Sequence, residues 1–222
     1  MLVRHLEARD DPVQVGLVGA GMFGSQVVYA AEETPGLRVV ALADVDREKA
    51  VETFGRAGVP PADVATGLAP DEARAAVAAG DRVAFDDGLA LVEAAPDVVV
   101  EATGVPEAAA RHALAAVSRG VDVVNVSVEA DTVVGPALTR LAEQAGVTYS
   151  MAYGDQPAKI VELYDRARTN GSEVVAAGRT TQDLDLDPHG TPEDALDRYN
   201  WTEPPVDGID PDPAMINSFV DG

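Results

Sequence analysis

Residues 14–24 read QVGLVGAGMFG: an apolar run, 14–18, that opens into Gly19, Ala20, Gly21, Met22, Phe23 and Gly24. The segment that follows, 25–33, is helix-competent and is closed by Thr34, Pro35 and Gly36. A Gly-x-Gly-x-x-Gly cluster between a strand and a helix is the context a dinucleotide site requires. Gly19 permits the tight turn, Gly21 lets the backbone approach a pyrophosphate, and Gly24 lets the helix pack close to the strand. The helix N-terminus then offers unpaired amides and a partial positive charge to the phosphates. A plain strand–turn–helix corner would carry the same glycines, so the next signal decides.

That signal is Asp44. It closes a second apolar run, LRVVALA at 37–43, and stands twenty residues after Gly24. A carboxylate there accepts hydrogen bonds from the adenosine ribose hydroxyls and disfavours a 2′-phosphate, which leans the cofactor from NADP toward NAD. Arg47, three residues on, pulls the other way. The pattern continues with helices at 47–54, 70–79, 89–94, 106–119 and 136–144, and with strands at 83–85, 97–101, 121–126 and 147–151. Valine-rich strands alternating with helices predict an α/β fold, a Rossmann-type doubly wound parallel sheet over residues 1–152. After Tyr153 the texture changes. A helix at 158–169 and a strand at 173–177 precede an Asp/Pro/Thr-rich stretch with one helical patch at 192–199. Residues 153–222 are expected to be the start of an α+β catalytic domain.

The chain carries 38 acidic against 16 basic residues, a net charge of −22, and only two lysines, Lys49 and Lys159. A field of that sign repels nucleic acid and anionic lipid. An acidic patch could serve a basic partner. Asp and Glu recur in nearly every segment, however, which favours diffuse acidity adapted to high salt, where screening removes the self-repulsion. The absence of cysteine excludes disulfides, thiolate metal ligands and a cysteine nucleophile. No apolar run reaches the ~20 residues that span a bilayer, and a cytoplasmic location is expected.

Several further positions are candidates. Thr103 and Gly104 follow the strand at 97–101, where ligands sit in open α/β sheets, although Pro106 makes a simple strand-to-helix turn an equal reading. Asn125, Ser127, Glu129 and Asp131 alternate with small or apolar residues, so an extended chain would put them on one side, facing either the crevice or solvent. Gly154, Asp155, Gln156 and Pro157 make a candidate hinge and site wall. Lys159 is the leading candidate to hold a substrate oxyanion or, with a lowered pKa, to carry a proton; the alternative is a surface lysine paired with Glu162 or Asp155. Asp183, Asp185 and Asp187 before His189 read as an oxygen-rich cation site or a solvated acidic loop. His5, His112 and His189 have no ligand neighbour at metal-binding spacing, and no metal site is assigned.

In order, GLVGAGMFG, DVVVEATG, VVNVSVEADTVVGP, YGDQP and INSFVDG resemble the homoserine-dehydrogenase-like oxidoreductases that often carry a C-terminal SAF domain, a group that includes the type II deoxyxylulose-phosphate reductoisomerase-like proteins. The likeness runs from about Val13 to the end. It implies a split Rossmann domain, an inserted catalytic domain and more chain after SFVDG, so a truncated portion of a longer protein is expected. It implies pyrophosphate binding by Gly19, Gly21 and Gly24, with Glu129, Asp131, Asp155 and Lys159 in or near the site. The chain departs from the pattern at Ser127, where Asn is usual, at Gly178-Arg179-Thr180, where Gly-Lys-Gly is usual, and in lacking the lysine that homoserine dehydrogenases place after the strand at 121–126.

The expected function is therefore NAD- or NADP-dependent hydride transfer to or from a small hydroxylated, optionally phosphorylated, substrate. The cofactor-binding set is Gly19, Ala20, Gly21, Met22, Phe23, Gly24, Asp44, Thr103 and Gly104, and the catalytic candidates are Lys159, Asp155 and Glu129. An NADPH- and metal-dependent reductoisomerase and a non-catalytic nucleotide-binding module are the alternatives. The expected partners are a small-molecule substrate and, as an open option, a second copy in a homo-oligomer, with neither nucleic acid nor membrane among them.

Overall fold

The computed structural model describes residues 2–154 and 156–177. The chain divides at Ala152/Tyr153 into two units. In the first, a short helix α1 (Leu2–Glu7) precedes β1 (Val13–Val18), α2 (Met22–Glu33), β2 (Leu37–Ala43) and α3 (Arg47–Arg56). A 3-10 turn (Pro61–Asp63) leads into β3 (Val64–Thr66), α4 (Pro70–Ala79), β4 (Arg82–Phe85), α5 (Gly88–Glu93) and β5 (Val98–Glu101). The unit ends with α6 (Pro106–Ser118), β6 (Asp122–Asn125), α7 (Val128–Ala145) and β7 (Tyr149–Met151). The second unit opens with α8 (Gln156–Thr169).

The seven strands form one sheet in the order β3-β4-β2-β1-β5-β6-β7, with every pairing parallel. Parallel strands hide both faces, and two apolar clusters do so here. Val15, Leu17, Val39 and Leu42 meet Val28 of α2 and Phe54 of α3 on one side. Val18, Val40, Ala41 and Val99 meet Val77 of α4, Leu91 of α5, Val117 of α6 and Leu138 of α7 on the other. The β1–β2 register slips between Val15 and Gly16, skipping Val40, so neighbouring β2 residues Val40 and Ala41 serve the same cluster. This is the doubly wound α/β sheet expected from the sequence. Strand order reverses between β1 and β5, so a crevice opens beyond their C-terminal ends.

Three expectations change. The α7 helix begins at Val128, not at residue 136, so Glu129 and Asp131 lie on a helix rather than in a period-two row. Pro136 sits inside it, where its missing N–H costs one hydrogen bond. Burial of Ala130, Gly135, Leu138 and Ala142 along one stripe outweighs that cost. The strand expected at 173–177 does not form: residues 172–177 have neither helix nor strand. Elements α1 and β3, too short to show a period, were not expected. Among the described residues no helix is long and apolar enough to cross a membrane.

Candidate functional site

The glycine loop joins β1 to α2 at the mouth of the crevice. Gly19 takes φ +108°, a conformation open mainly to glycine. A Cβ on Gly19 would lie 2.5 Å from the Ala102 carbonyl oxygen, so the first loop rests directly on the loop after β5. A Cβ on Gly24 would lie 1.9 Å from the Gly19 oxygen, which is the close helix–strand approach. Gly21 differs from both: an added Cβ there would have nothing within 4 Å, and its φ of −70° is open to any residue. Packing does not require glycine at position 21, and open space lies beside its backbone.

No side chain caps α2, and the first amide bonded back into the helix is that of Ser25, to the Gly21 carbonyl. The amides of Met22, Phe23 and Gly24 therefore stand at the helix mouth without intrahelical partners. Met22 is 89% exposed and Phe23 49%, so neither side chain plugs the loop. Ala20 contributes otherwise: its side chain is buried, and its N–H donates to Asp44 Oδ2 at 2.9 Å.

Asp44 follows β2 beside this loop. Besides Ala20, the Asp46 amide donates to Asp44 Oδ1 at 3.1 Å, and Lys49 Nζ lies 3.5 Å from Oδ2. Each oxygen keeps acceptor capacity for a ribose hydroxyl. Arg47 is paired with Asp86 at 3.1 Å. Arg47 and Lys49 thus already have carboxylate partners. Lys49 was not singled out in the sequence, where nothing marks a lysine one turn into a helix as facing Asp44.

Beyond β5 and β6 a polar network closes the other side of the crevice. Thr103 Oγ1 donates to Glu101 Oε1 at 2.5 Å, and the Ser127 hydroxyl donates to Glu101 Oε2. The Gly104 amide donates to Ser127 Oγ at 3.1 Å. Asn125 Nδ2 donates to the Ser127 carbonyl (3.0 Å) and to the Tyr149 oxygen (3.1 Å), and the Tyr149 hydroxyl donates to Asp131 Oδ1 at 3.0 Å. Burial first, then Asp131, pushes the Tyr149 phenol well above the usual tyrosine range, so it remains a donor. Of the row read from the sequence, Asn125, Ser127 and Asp131 are joined here; half-buried Glu129, in the first turn of α7, has no described polar partner. Glu101, at the heart of this network, carried no sequence signal as a site residue, nor did His112, whose Nδ1 lies 3.5 Å from Glu101 Oε1.

In the second unit, Lys159 Nζ donates to the Tyr153 hydroxyl (3.3 Å) and Glu162 Oε2 (3.2 Å), and lies 4.3 Å from the centre of the Tyr153 ring. The Tyr153 oxygen and then Glu162 raise the Lys159 pKa, and hydrogen bonds from Tyr153 and Lys159 lower that of Glu162. The lowered lysine pKa that a proton carrier would need is absent; the ammonium is exposed and held charged. Asp155, Asp183, Asp185, Asp187, His189 and the Gly178-Arg179-Thr180 run lie outside the described residues. Among the described residues no three His, Asp or Glu side chains gather as a metal site.

A cavity of about 550 Å³ lies at the opposite, N-terminal end of the sheet, between Arg38, Pro60, Asp63 and Arg82. Its buried guanidinium, Arg82, is already engaged by Glu32 at 2.6 Å and by the Val39 carbonyl. The glycine loop, not this cavity, carries the features a cofactor needs.

Residues 16–152 match the family model described as homoserine dehydrogenase, NAD binding domain. Residues 154–222 match the model described as oxidoreductase DRL, catalytic domain. No protein of curated function matches. Solved structures with the same fold include an oxidoreductase from Agrobacterium radiobacter in complex with NAD+, L-tartaric acid and magnesium (16% identity, TM-score 0.53, covering 72% of this chain and 42% of that one). The WlbA dehydrogenase from Bordetella pertussis, in complex with NADH and UDP-GlcNAcA, is 18% identical with TM-score 0.53, covering 72% and 43%. An NAD binding oxidoreductase from Klebsiella pneumoniae is 20% identical with TM-score 0.50, covering 72% and 39%. At these identities the likeness is one of fold, and the chain spans about two fifths of each solved structure's length.

Proposed function

The chain belongs, over residues 16–152, to the homoserine dehydrogenase NAD-binding family, and on that premise we propose that it is an NAD-dependent oxidoreductase moving hydride to or from a small hydroxylated substrate. The observation that carries this reading is the open space at Gly21 beside the uncapped N-terminus of α2. A packing corner needs glycine at positions 19 and 24. It does not need one at 21, whereas a pyrophosphate lying on the backbone does.

Gly21 and the amides of Met22, Phe23 and Gly24 would hold the pyrophosphate, and Asp44 the adenosine ribose. Backbone dipoles suit this chain, which has two lysines to spend on anions. Asp44, with Arg47 and Lys49 already paired to carboxylates, favours NAD over NADP. Bound there, the nicotinamide supplies the hydride acceptor or donor. Thr103 and Gly104 would border its ring, beyond β5. In the second unit, Lys159 is suited to attract a substrate oxyanion as a fixed cation rather than to act as a base. Glu129 and Asp155 remain candidates for the accompanying proton movement.

A thermal-shift titration of the 222-residue chain in molar salt tests the first step. At a hundred times Kd, NAD should stabilise by about 2.7 kcal/mol, or roughly 5–10 °C, with a smaller effect of NADP at equal concentration. No shift with either on folded protein would sink the reading. The same instrument tests the proposed adaptation to high salt. Screening a net charge of −22 should raise the ligand-free melting temperature steadily as KCl goes from about 0.1 to 2 M. A flat or falling curve would reject it.

A further inference from the structure

We infer that Glu101 is a positioning residue that holds the nicotinamide side of the cofactor site: its buried carboxyl group braces the loops after β5 and β6 into one wall. The inference rests on the proposed cofactor site. Glu101 ends β5 between its register partners Val18 of β1 and Asn125 of β6, and its side chain is 0% exposed. An apolar residue would fill that space without the desolvation cost of a polar group. What the carboxylate adds is direction.

The Thr103 and Ser127 hydroxyls both hydrogen-bond to the carboxyl group, one to each oxygen. Their lone pairs are then fixed toward the backbone. Thr103 Oγ1 accepts the Val105 amide at 3.2 Å, and Ser127 Oγ accepts the Gly104 amide at 3.1 Å. One buried carboxyl group thus holds two hydroxyls and, through them, two consecutive peptides. The second hydroxyl belongs to the turn after β6, so the two loops are tied across the sheet. The Thr103 amide also donates to Oε1, at 3.3 Å.

His112 backs the same oxygen from α6. Its Nδ1 lies 3.5 Å from Oε1 and is buried without a hydrogen-bond partner. The ring is pinned there because Gly88 abuts it: a Cβ on Gly88 would lie 2.5 Å from His112 Nε2. The carboxylate therefore has little freedom to retreat.

The braced wall faces the crevice on the far side of β1 from Asp44. Gly104, at its tip, is exposed, and a Cβ on it would meet nothing within 4 Å. With the ribose gripped at β2 and the pyrophosphate at β1, the remaining half of a dinucleotide extends over β5 and β6. Glu101 should then matter for that half and not for the adenosine half.

The test is a pair of dissociation constants for each form of the full chain: NADH by its fluorescence, and ADP-ribose, which lacks the nicotinamide, by calorimetry. Glu101→Gln keeps the size but puts an NH2 group in place of one oxygen, so one of the two hydroxyls must turn to accept from it and the brace is re-aimed. It should weaken NADH about tenfold and leave ADP-ribose within about twofold. Equal weakening of both ligands, or of neither, overturns the inference. Should Glu101→Gln fail to fold by circular dichroism, Ser127→Ala carries the same comparison. It cuts one arm of the brace and should cost NADH about threefold with ADP-ribose unchanged; parallel changes or none overturn the inference. A wild-type chain that binds neither ligand rejects the cofactor reading itself, a result separable from failure of the variants.

Discussion

Gly21→Val is expected to leave the melting temperature of the ligand-free chain within about 2 °C of wild type and to weaken NADH at least a hundredfold. Gly24→Ala is expected to do the opposite first: to destabilise the fold by about 3 kcal/mol, before any ligand is added. Both residues belong to one glycine motif, and the structure separates their reasons for being glycine. At position 24 a single methyl would sit 1.9 Å from the Gly19 carbonyl oxygen, a backbone atom that cannot swing aside, so α2 must lift off β1. At position 21 the φ of −70° suits valine, and the added carbons enter empty space. That space is where a pyrophosphate would meet the amides of α2, and the valine would hold it beyond hydrogen-bond reach. Melting curves and NADH titrations on both variants check the pair. If Gly21→Val binds NADH like wild type, the open space serves something other than this cofactor.

The contrast also shows what was legible in the sequence. The placement of the glycine loop and of Asp44 was readable because its determinants are local: a strand, a turn and a helix start within eleven residues, and one carboxylate at the end of the next strand. The valine-rich strands were readable because both faces of a parallel sheet are dry. The Asn125–Asp131 row was misread for a physical reason. Its alternation imitates an extended chain, and Pro136 marks a false helix start, while the burial that pulls Val128–Ala145 into one helix comes from α6, β7 and β6. Glu101 was invisible for a related reason. A glutamate closing a strand looks solvated, and the groups that make it a buried brace arrive from His112 on α6 and Ser127 beyond β6. Likewise, the lysine that looked available as a proton carrier, Lys159, stands beside an acceptor one turn along its own helix that keeps it charged.

Asp44→Ala is expected to weaken NAD by about 10- to 100-fold and to raise the ratio of NADP to NAD affinity by a similar factor. Two effects add. Hydrogen bonds from the ribose hydroxyls lose a charged acceptor, which costs NAD more than NADP, whose 2′-oxygen carries the phosphate. Removal of a negative charge beside the 2′-position relieves repulsion of a phosphate, which touches NADP alone. The structure adds a third effect. Lys49, now 3.5 Å from Asp44 Oδ2, loses its counter-ion and becomes available to an incoming phosphate. Arg47 does not, because Asp86 still holds it. The double variant Asp44→Ala/Lys49→Met should therefore keep the loss of NAD but forfeit most of the gain in NADP. Asp44→Asn separates charge from structure. One amide oxygen must replace two carboxylate oxygens that accept the Ala20 and Asp46 amides, so one of those amides is left without its partner. The Ala20 bond fixes the glycine loop against β2, so both variants should lose some affinity for both cofactors, Asp44→Asn less than Asp44→Ala, on top of the gain in relative preference for NADP. Dissociation constants for NAD and NADP across the four proteins decide it. An unchanged NADP-to-NAD ratio in Asp44→Ala would mean that the carboxylate faces its own backbone neighbours and not a ribose.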